Sequence, residues 1–495
     1  MDRTLLAEAT LMAPALTACL VACLPRAWTT GLARAGAVIT AALALVTGGA
    51  ALADPAHPQV GPWIALDAAA GLLLAVIGVV GLVAVLVSPA HLDAATRSLV
   101  PEPRRRRVFY VLVFAFWASL LGVPLAGNLA AAWLLIEATT ATSALLVGFS
   151  GRRRALEAGW KYLILTSLGL GVALLGVSVL AAGVPGGDLE SLTWRALPTY
   201  AAGPSTALVA YLLLLAGLAA KAGWAPVHNW LPDAHSEAPA PVSALLSAAL
   251  LPAVLLVAWR CEAGLAPVIG DGTARGVLVG FGLASLLVSA PFLARPLAWK
   301  RLLAYSSLEH MGVIALGVGF GTPLALAGVA VHVVGHALAK TLGFVAVTPL
   351  LAHRPSAATD PLVGVGRTRP ALGVLLGLSL GTLAGLPPSP LFVSELLVVA
   401  GGFTAGWAWA AVAAALALAL AFLGLVRALL ESTAGDVAGP AAPAGAGRPA
   451  LPALPGLRGA GLLAAACVPC LLALAVAALW LPGSGIVAAL VRGVR

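Results

Sequence analysis

Residues 220–242 read AKAGWAPVHNWLPDAHSEAPAPV and bring Lys221, His228, Asp233, His235 and Glu237 together in a chain that is 61% hydrophobic and 9% charged. Of the 28 lysines and arginines only four are lysines, Lys161, Lys221, Lys300 and Lys340. Lys161, Lys221 and Lys340 fall inside or at the mouth of apolar runs, where a charged group costs about 2.5–3.5 kcal/mol on insertion scales. Arginine keeps its proton at any workable pH, whereas a desolvated lysine can be made to release it, so lysine suits a titrating role better than a fixed charge. The plainer alternatives are a lysine snorkelling to an interface or neutralising an acid.

Further ionisable groups sit in other apolar runs. Glu137 is the lone charge in NLAAAWLLIEATTATSALL; paired with Lys221 it would form a switchable proton site, and the alternative is a static ion pair locking two helices. His332, His336 and Lys340 follow one another at i, i+4 and i+8, a stripe of roughly 12 Å on one helix face that can hold a water wire. Histidine titrates nearest neutral pH and suits hand-over between a lysine and a bulk-facing group. The same i, i+4 spacing could ligate a metal, but no HExxH pattern or nearby carboxylate in the sequence supports that, and no metal is expected. Glu395 follows the GLPPSP stretch at 385–390, where a carboxylate could end the wire towards bulk or stabilise a new helix N-terminus. His228, Asp233, His235 and Glu237 lie across Pro226 and Pro232 in a short kinked segment, either taking in protons or capping the next span.

The elements that carry these groups are helices in lipid. Mean hydropathy is +1.02, and apolar runs of helix length recur from end to end without period-two alternation, which excludes a β-barrel. The sequence reads as an all-α polytopic membrane protein with about fourteen spans, starting near residues 4, 31, 62, 108, 127, 161, 205, 240, 276, 302, 323, 371, 403 and 459. On this map 19 Lys and Arg fall in loops after odd-numbered spans (Arg26, Arg34, Arg97, Arg104–Arg107, Arg152–Arg154, Arg295, Lys300, Arg301, Arg354, Arg367, Arg369, Arg427, Arg448, Arg458), and 6 on the other side (Arg3, Arg195, Arg260, Arg275, Arg492, Arg495). The positive-inside rule then puts the odd loops in the cytoplasm and both termini outside, in the plasma (inner) membrane. The net charge of +9 is thus a topology signal rather than a nucleic-acid patch, and the RRRR cluster also suits anionic headgroups or a cytoplasmic partner.

Residues 1–90 form a three-helix segment. Breakers occur in the seventh span, at Pro226, and in the twelfth, at GLPPSP, five spans apart. Broken helices in corresponding positions point to two inverted five-helix repeats, residues 104–260 (spans four to eight) and 276–430 (spans nine to thirteen). Residues 431–458, rich in Ala, Gly and Pro, read as a flexible cytoplasmic linker to a last span at 459–482. Five cysteines are present, Cys19, Cys23, Cys261, Cys467 and Cys470; the CxxC at 467–470 lies in the last apolar span with no second pair and reads as buried and structural. LVAC ending at Cys23 resembles a lipoprotein cleavage site, but the acidic Asp2 and Glu8 favour an uncleaved first span. No phosphate loop, cluster-binding cysteine set or nucleophile triad is present, so the chain is expected to carry charge, not electrons.

KAGWAPVHNWLPDAHSEAPAPVSALL, WKRLLAYSSLEHMG, HVVGHALAK and GLPPSPLFVSE resemble the antiporter-like proton-channel subunits of respiratory complex I, multisubunit cation/proton antiporters and membrane-bound hydrogenases. IEATTATSALLVGF, EAGWKYLIL and the SSLEHMG version of the third motif most resemble the branch of hydrogenase-4 component F and the formate-hydrogenlyase membrane subunits. The short C-terminus sets the chain apart from the largest complex I subunit. The resemblance implies that Glu137 and Lys221 are a coupled pair, that His332, His336 and Lys340 are relay groups, and that Glu395 is the outlet carboxylate. Lys161, His228, Asp233, His235, Glu237 and His310 join them as groups of proton intake or helix linkage. It further implies no cofactor in this chain, with iron–sulfur clusters and nickel–iron or quinone sites on partner subunits. Partners would be other antiporter-like subunits, peripheral redox subunits and lipid; the cargo would be protons, with sodium as an alternative. A subunit of NADH-quinone oxidoreductase or of a sodium/proton antiporter is the competing reading, and a structural subunit with a dead channel a third. The sequence departs from relatives at Pro252, where they commonly place a polar or basic residue. The link from Lys221 to the second half is therefore expected to use water near Ser247 and Ala248.

Overall fold

The computed structural model describes residues 3–94, 100, 104–184, 189–348, 350 and 360–435. Residues 436–458 of the expected linker and the fourteenth span, with Arg448, Arg458, Cys467, Cys470, Arg492 and Arg495, lie outside them, as do Arg97 and Arg354; the first linker residues, 431–434, instead continue the helix Ala408–Ala434. Thirteen of the counted spans lie within the described residues. Among the described residues twelve helices are long and apolar enough to cross a membrane; the remaining span, the twelfth, is made of two shorter helices.

The N-terminal segment is α1 (Arg3–Cys23), α2 (Thr29–Ala53) and α3 (Ala68–Ala94). A two-residue hairpin, Gln59–Val60 against Ala65–Leu66, separates α2 from α3 and moves the start of the third span later than the apolar run suggests. At this end Arg3 and His57 both bond Asp54, and those hydrogen bonds, His57 first, hold its carboxyl below the usual range.

Next come α4 (Arg105–Leu125), α5 (Leu129–Val147), α6 (Arg153–Ala182), α7 (Pro204–Ala222), the short α8 (Leu231–Glu237) and α9 (Ala240–Leu245). A five-residue π-turn, Leu246–Leu250, joins α9 to α10 (Leu251–Ile269). The last group is α11 (Asp271–Leu293), α12 (Trp299–Phe320), α13 (Pro323–Ala346), α14 (Val365–Thr368), α15 (Pro370–Leu383), α16 (Pro390–Thr404) and α17 (Ala408–Ala434).

The two expected breaks differ in form. The twelfth span is interrupted midway along its length, α15 stopping before Gly385 and α16 starting at Pro390. The seventh is not: α7 ends at Ala222, Gly223 caps it at φ 74°, and the chain turns through Trp224–Trp230 into α8. Each break contains a cis X-Pro peptide, Ala225–Pro226 and Pro387–Pro388.

The core sits along the middle of the molecule. Every residue of α12 except Arg301 is buried, and α13 and the α9–α10 span are nearly as enclosed. α3 packs on α4, α9 and α13, so the N-terminal segment touches helices of both later groups. Helices at the periphery, α6 and α17 among them, show Leu, Val and Trp outward, as lipid-facing surfaces do. Polar side chains on α12 and α13 are thus shut away from lipid and must find partners inside the protein.

Two arginine and lysine placements differ from the sequence map. Arg260, counted as a loop cation, is 3% exposed, pairs with Asp67 at 2.6 Å and donates to the Pro124 carbonyl. Lys300, also counted in a loop, is 4% exposed and donates to the carbonyls of Ser236 and Ala238 at 2.8 and 2.5 Å. In both cases a partner on a sequence-distant element compensates the burial, which local hydropathy does not register.

Candidate functional site

Lys221 stands on the last turn of α7 and is fully buried. Asn128 caps α5 by accepting from the Ala131 N–H, and α5 carries the groups that meet this lysine. Lys221 Nζ donates to Thr140 Oγ1 at 2.7 Å and to the Tyr162 hydroxyl of α6 at 2.5 Å. Tyr162 in turn lies 2.8 Å from Ser143 Oγ, and Ser143 donates to the Thr139 carbonyl. The bonds run in one direction, from ammonium to phenol to hydroxyl to carbonyl.

The expected direct pair between Lys221 and Glu137 is not formed. Glu137 is half-buried one turn back from Thr140 and accepts from Ser167 Oγ of α6 at 2.7 Å, while its second oxygen is buried without a partner. α7 packs chiefly on α6 and α10, so Lys221 reaches α5 only through its long side chain. Thr140 and Tyr162 are functional candidates that the sequence reading missed. Their signal was spacing: Thr140 is i+3 from Glu137, and Tyr162 follows Lys161.

Lys161 itself faces outward. Its side chain is 48% exposed and pairs with Glu157 at 2.7 Å and Asp233 at 3.4 Å. Asp233 also meets Arg301, and Glu237 pairs with Arg152 at 3.0 Å. These ion pairs form a collar around α8, so Lys161, Asp233 and Glu237 belong to the surface of the break. His228 is half-buried on the loop before α8, with Nδ1 unpartnered. His235, inside α8, is fully buried with neither ring nitrogen bonded, between Trp230 (ring centroids 6.3 Å) and Phe344 (5.7 Å). Trp230 packs tilted against Tyr162, ring centroids 4.7 Å apart, so His235 lies between the Lys221 cradle and α13, deeper than an intake group.

On α13, His332, His336 and Lys340 are all fully buried. Lys340 donates to the Leu303 carbonyl at 2.5 Å and to Ser306 Oγ, both on α12. Glu309, one turn beyond Ser306, is 3% exposed with one oxygen unpartnered; like Ser306 it lies inside the quoted SSLEH motif but was not singled out. His310 is interior as well, and joins the stripe: its Nδ1 is 3.1 Å from His332 Nε2, and His332 Nδ1 is 2.8 Å from Ser394 Oγ of α16.

Ser394 donates to the Leu391 carbonyl at 2.8 Å, so it accepts from His332 Nδ1–H. His332 Nε2 is then bare and accepts from His310 Nδ1–H, leaving His310 Nε2 as a buried acceptor without a partner. The opposite polarity would strand an N–H donor at that atom, the less tolerated outcome. Glu395, beside Ser394, is half-buried, and Gly385 at the break packs against its carboxylate. His310, His332 and Glu395 place ligand-type atoms within 4.8 Å of one another, but the facing nitrogens of the two histidines are already bonded to each other. The cluster is built as a hydrogen-bonded chain.

The α13 stripe and α12 meet the α9–α10 span at the π-turn. Ser247 Oγ is 2.7 Å from Ser307 Oγ of α12, and the Ser247 carbonyl accepts from His336 Nε2 at 3.4 Å. Pro252 faces elsewhere: its ring lines an apolar cavity with Leu73, Leu256, Val329 and Val333.

A transmembrane family described as NADH:quinone oxidoreductase/Mrp antiporter matches residues 126–421. A hydrogenase-4 component F homolog of Methylacidiphilum infernorum (isolate V4) is 36% identical over 296 residues, 58% of this chain and 62% of the relative. An NADH-quinone oxidoreductase subunit N of Desulforudis audaxviator (strain MP104C) is 31% identical over 396 residues, 75% of either chain. Among solved structures, a chain of the membrane-bound sulfane sulfur reductase, an archaeal respiratory membrane complex, superposes with a TM-score of 0.84 at 20% identity over 100% of this chain and 98% of that one. A chain of respiratory complex I from Thermus thermophilus with bound NADH gives 0.80 at 22% identity, covering 99% of each. These two structures share its fold.

Proposed function

Since the chain belongs to the NADH:quinone oxidoreductase/Mrp antiporter transmembrane family, we propose that it moves protons as an antiporter-like subunit of a complex I-related, hydrogenase-4-type membrane complex. The observation that carries this reading is the pair of fully buried lysines, Lys221 held by two hydroxyls and Lys340 by a hydroxyl and a carbonyl, neither by a carboxylate. A hydroxyl can accept from an ammonium and donate to a free amine, so such a cradle serves both protonation states. In this reading Glu137 biases Lys221 from one turn away, protons pass by His235, His336 and the His310–His332 chain, and Glu395 beside the Gly385 break is the outlet.

The family resemblance puts the redox cofactors on partner subunits, and the chain's own residues supply the charge path. Residues 104–260 and 276–430 act as inverted repeats in this scheme, supported by five spans per unit and a break late in each. The basic loops after odd spans support cytoplasmic placement of those loops, with both termini outside and the protein in the plasma membrane. The similarity to subunit N over three quarters of both chains favours NADH-quinone oxidoreductase as the second reading. The subunit composition of the purified complex separates the two: nickel–iron hydrogenase-like subunits support the first, NADH-oxidising subunits the second. Proton uptake by the complex in liposomes, lost in Lys221→Arg, tests the shared core of both; unchanged uptake would refute it.

A further inference from the structure

Pro252 lines an apolar cavity with its side chain, which does not itself act on the path. Its backbone does. In the π-turn the Leu251 N–H bonds the Leu246 carbonyl, five residues back. The Ser247 carbonyl has thereby lost its α-helical donor, which would have been that same Leu251 N–H. The next donor in π register would be residue 252, and proline has none. The Ser247 carbonyl is therefore released from the helix at a position that is fully buried, where a carbonyl without a partner costs free energy. It takes its hydrogen bond from His336 Nε2.

We infer that Pro252 is a positioning residue for the proton path: by withholding a backbone donor it opens the Ser247 carbonyl to His336 and fixes which nitrogen of that ring carries the proton. With Nε2–H on Ser247, His336 Nδ1 is bare, and that atom is buried without a partner. The ring centroid of His336 lies 5.1 Å from that of His310, whose Nε2 is bare as well. The chain thus reaches the π-turn with two acceptors ready for a proton, in place of a titrating side chain on α10. The inference deepens the proton-path reading and rests on it.

The test is a double-mutant cycle in the assembled complex, reading proton uptake, with a density map of the single variant. Pro252→Ala restores an N–H at position 252, which recaptures the Ser247 carbonyl. Uptake is expected to fall about tenfold, the worth of one lost hydrogen bond, and Pro252→Lys to recover much of it by supplying a titrating group. In a His336→Leu background Pro252→Ala should change nothing further, because the two act through one contact. An equal fold loss in both backgrounds, or no loss in either, overturns the inference. The map is independent of the relay: it should show the Ser247 carbonyl bonded to the restored N–H. Persistence of the Ser247–His336 bond in Pro252→Ala overturns the inference whatever the flux does. If His336→Leu alone leaves uptake intact, the relay reading falls while the map still decides the role of Pro252.

Discussion

Lys221 and Thr140 meet at 2.7 Å inside the membrane-spanning core, one helical turn from the carboxylate that the sequence pairs with this lysine. An ammonium bonded directly to Glu137 would be held charged by its partner. Bonded to two hydroxyls, with the acid one turn off, it can change state without leaving a charge stranded against its contact. Replacing Lys221 by Arg keeps the charge and removes the releasable proton. Proton uptake should fall about 100-fold, the usual scale for loss of a positioned proton-transfer group, in a complex that still assembles. Normal uptake would make Lys221 a structural cation.

Tyr162→Phe deletes one of the two hydroxyls while keeping the ring against Trp230. Losing a hydrogen bond to a charged buried donor costs about 1.5–3 kcal/mol. Thermal unfolding of the complex should move down accordingly, with slower uptake, and Thr140→Ser should be mild because the oxygen is retained. A Tyr162→Phe complex as stable and as fast as wild type would remove Tyr162 from the cradle.

Arg260 and Asp67, 3% and 4% exposed, tie α10 to the start of α3. Asp67→Leu leaves a buried guanidinium uncompensated and should destabilise by about 3–5 kcal/mol, whereas Arg260→Met with Asp67→Leu should be close to neutral. Urea or heat stability of the three proteins reads this directly. Equal losses in the single and double variants would show that the pair contributes no coupling.

His336 hydrogen-bonds Ser247 through Nε2. Glutamine can replace that donor and leucine cannot, so His336→Gln should retain more uptake than His336→Leu. The ratio should be about tenfold. Equal activities would exclude the ring from the path.

Arg104 and Arg195 are exposed and lie after odd and even spans respectively. In a cysteine-free background, an impermeant maleimide added to intact cells should label Arg195→Cys and spare Arg104→Cys. The reverse pattern would invert the orientation.

The sequence by itself determined the class of the molecule and most of its cast. Hydropathy is a sum over local residues, so helix-length runs in lipid are legible one at a time. An ionisable residue inside such a run declares itself by its cost, which is why Glu137, Lys221, the α13 stripe and Glu395 stood out before any coordinates. What the tertiary structure decided is who touches whom. Thr140, Tyr162, Ser306 and Glu309 are ordinary residues in sequence and become partners only when α5, α6 and α12 close on the lysines. Lys161 and His235, alike in sequence as candidate intake groups, part company because exposure depends on which helix covers a face: Lys161 is half-exposed and His235 fully buried. Pro252 looked like a missing side chain; the fold turned it into a missing N–H, because the π-turn sets the hydrogen-bond register and His336, from another helix, occupies the carbonyl that the register leaves free.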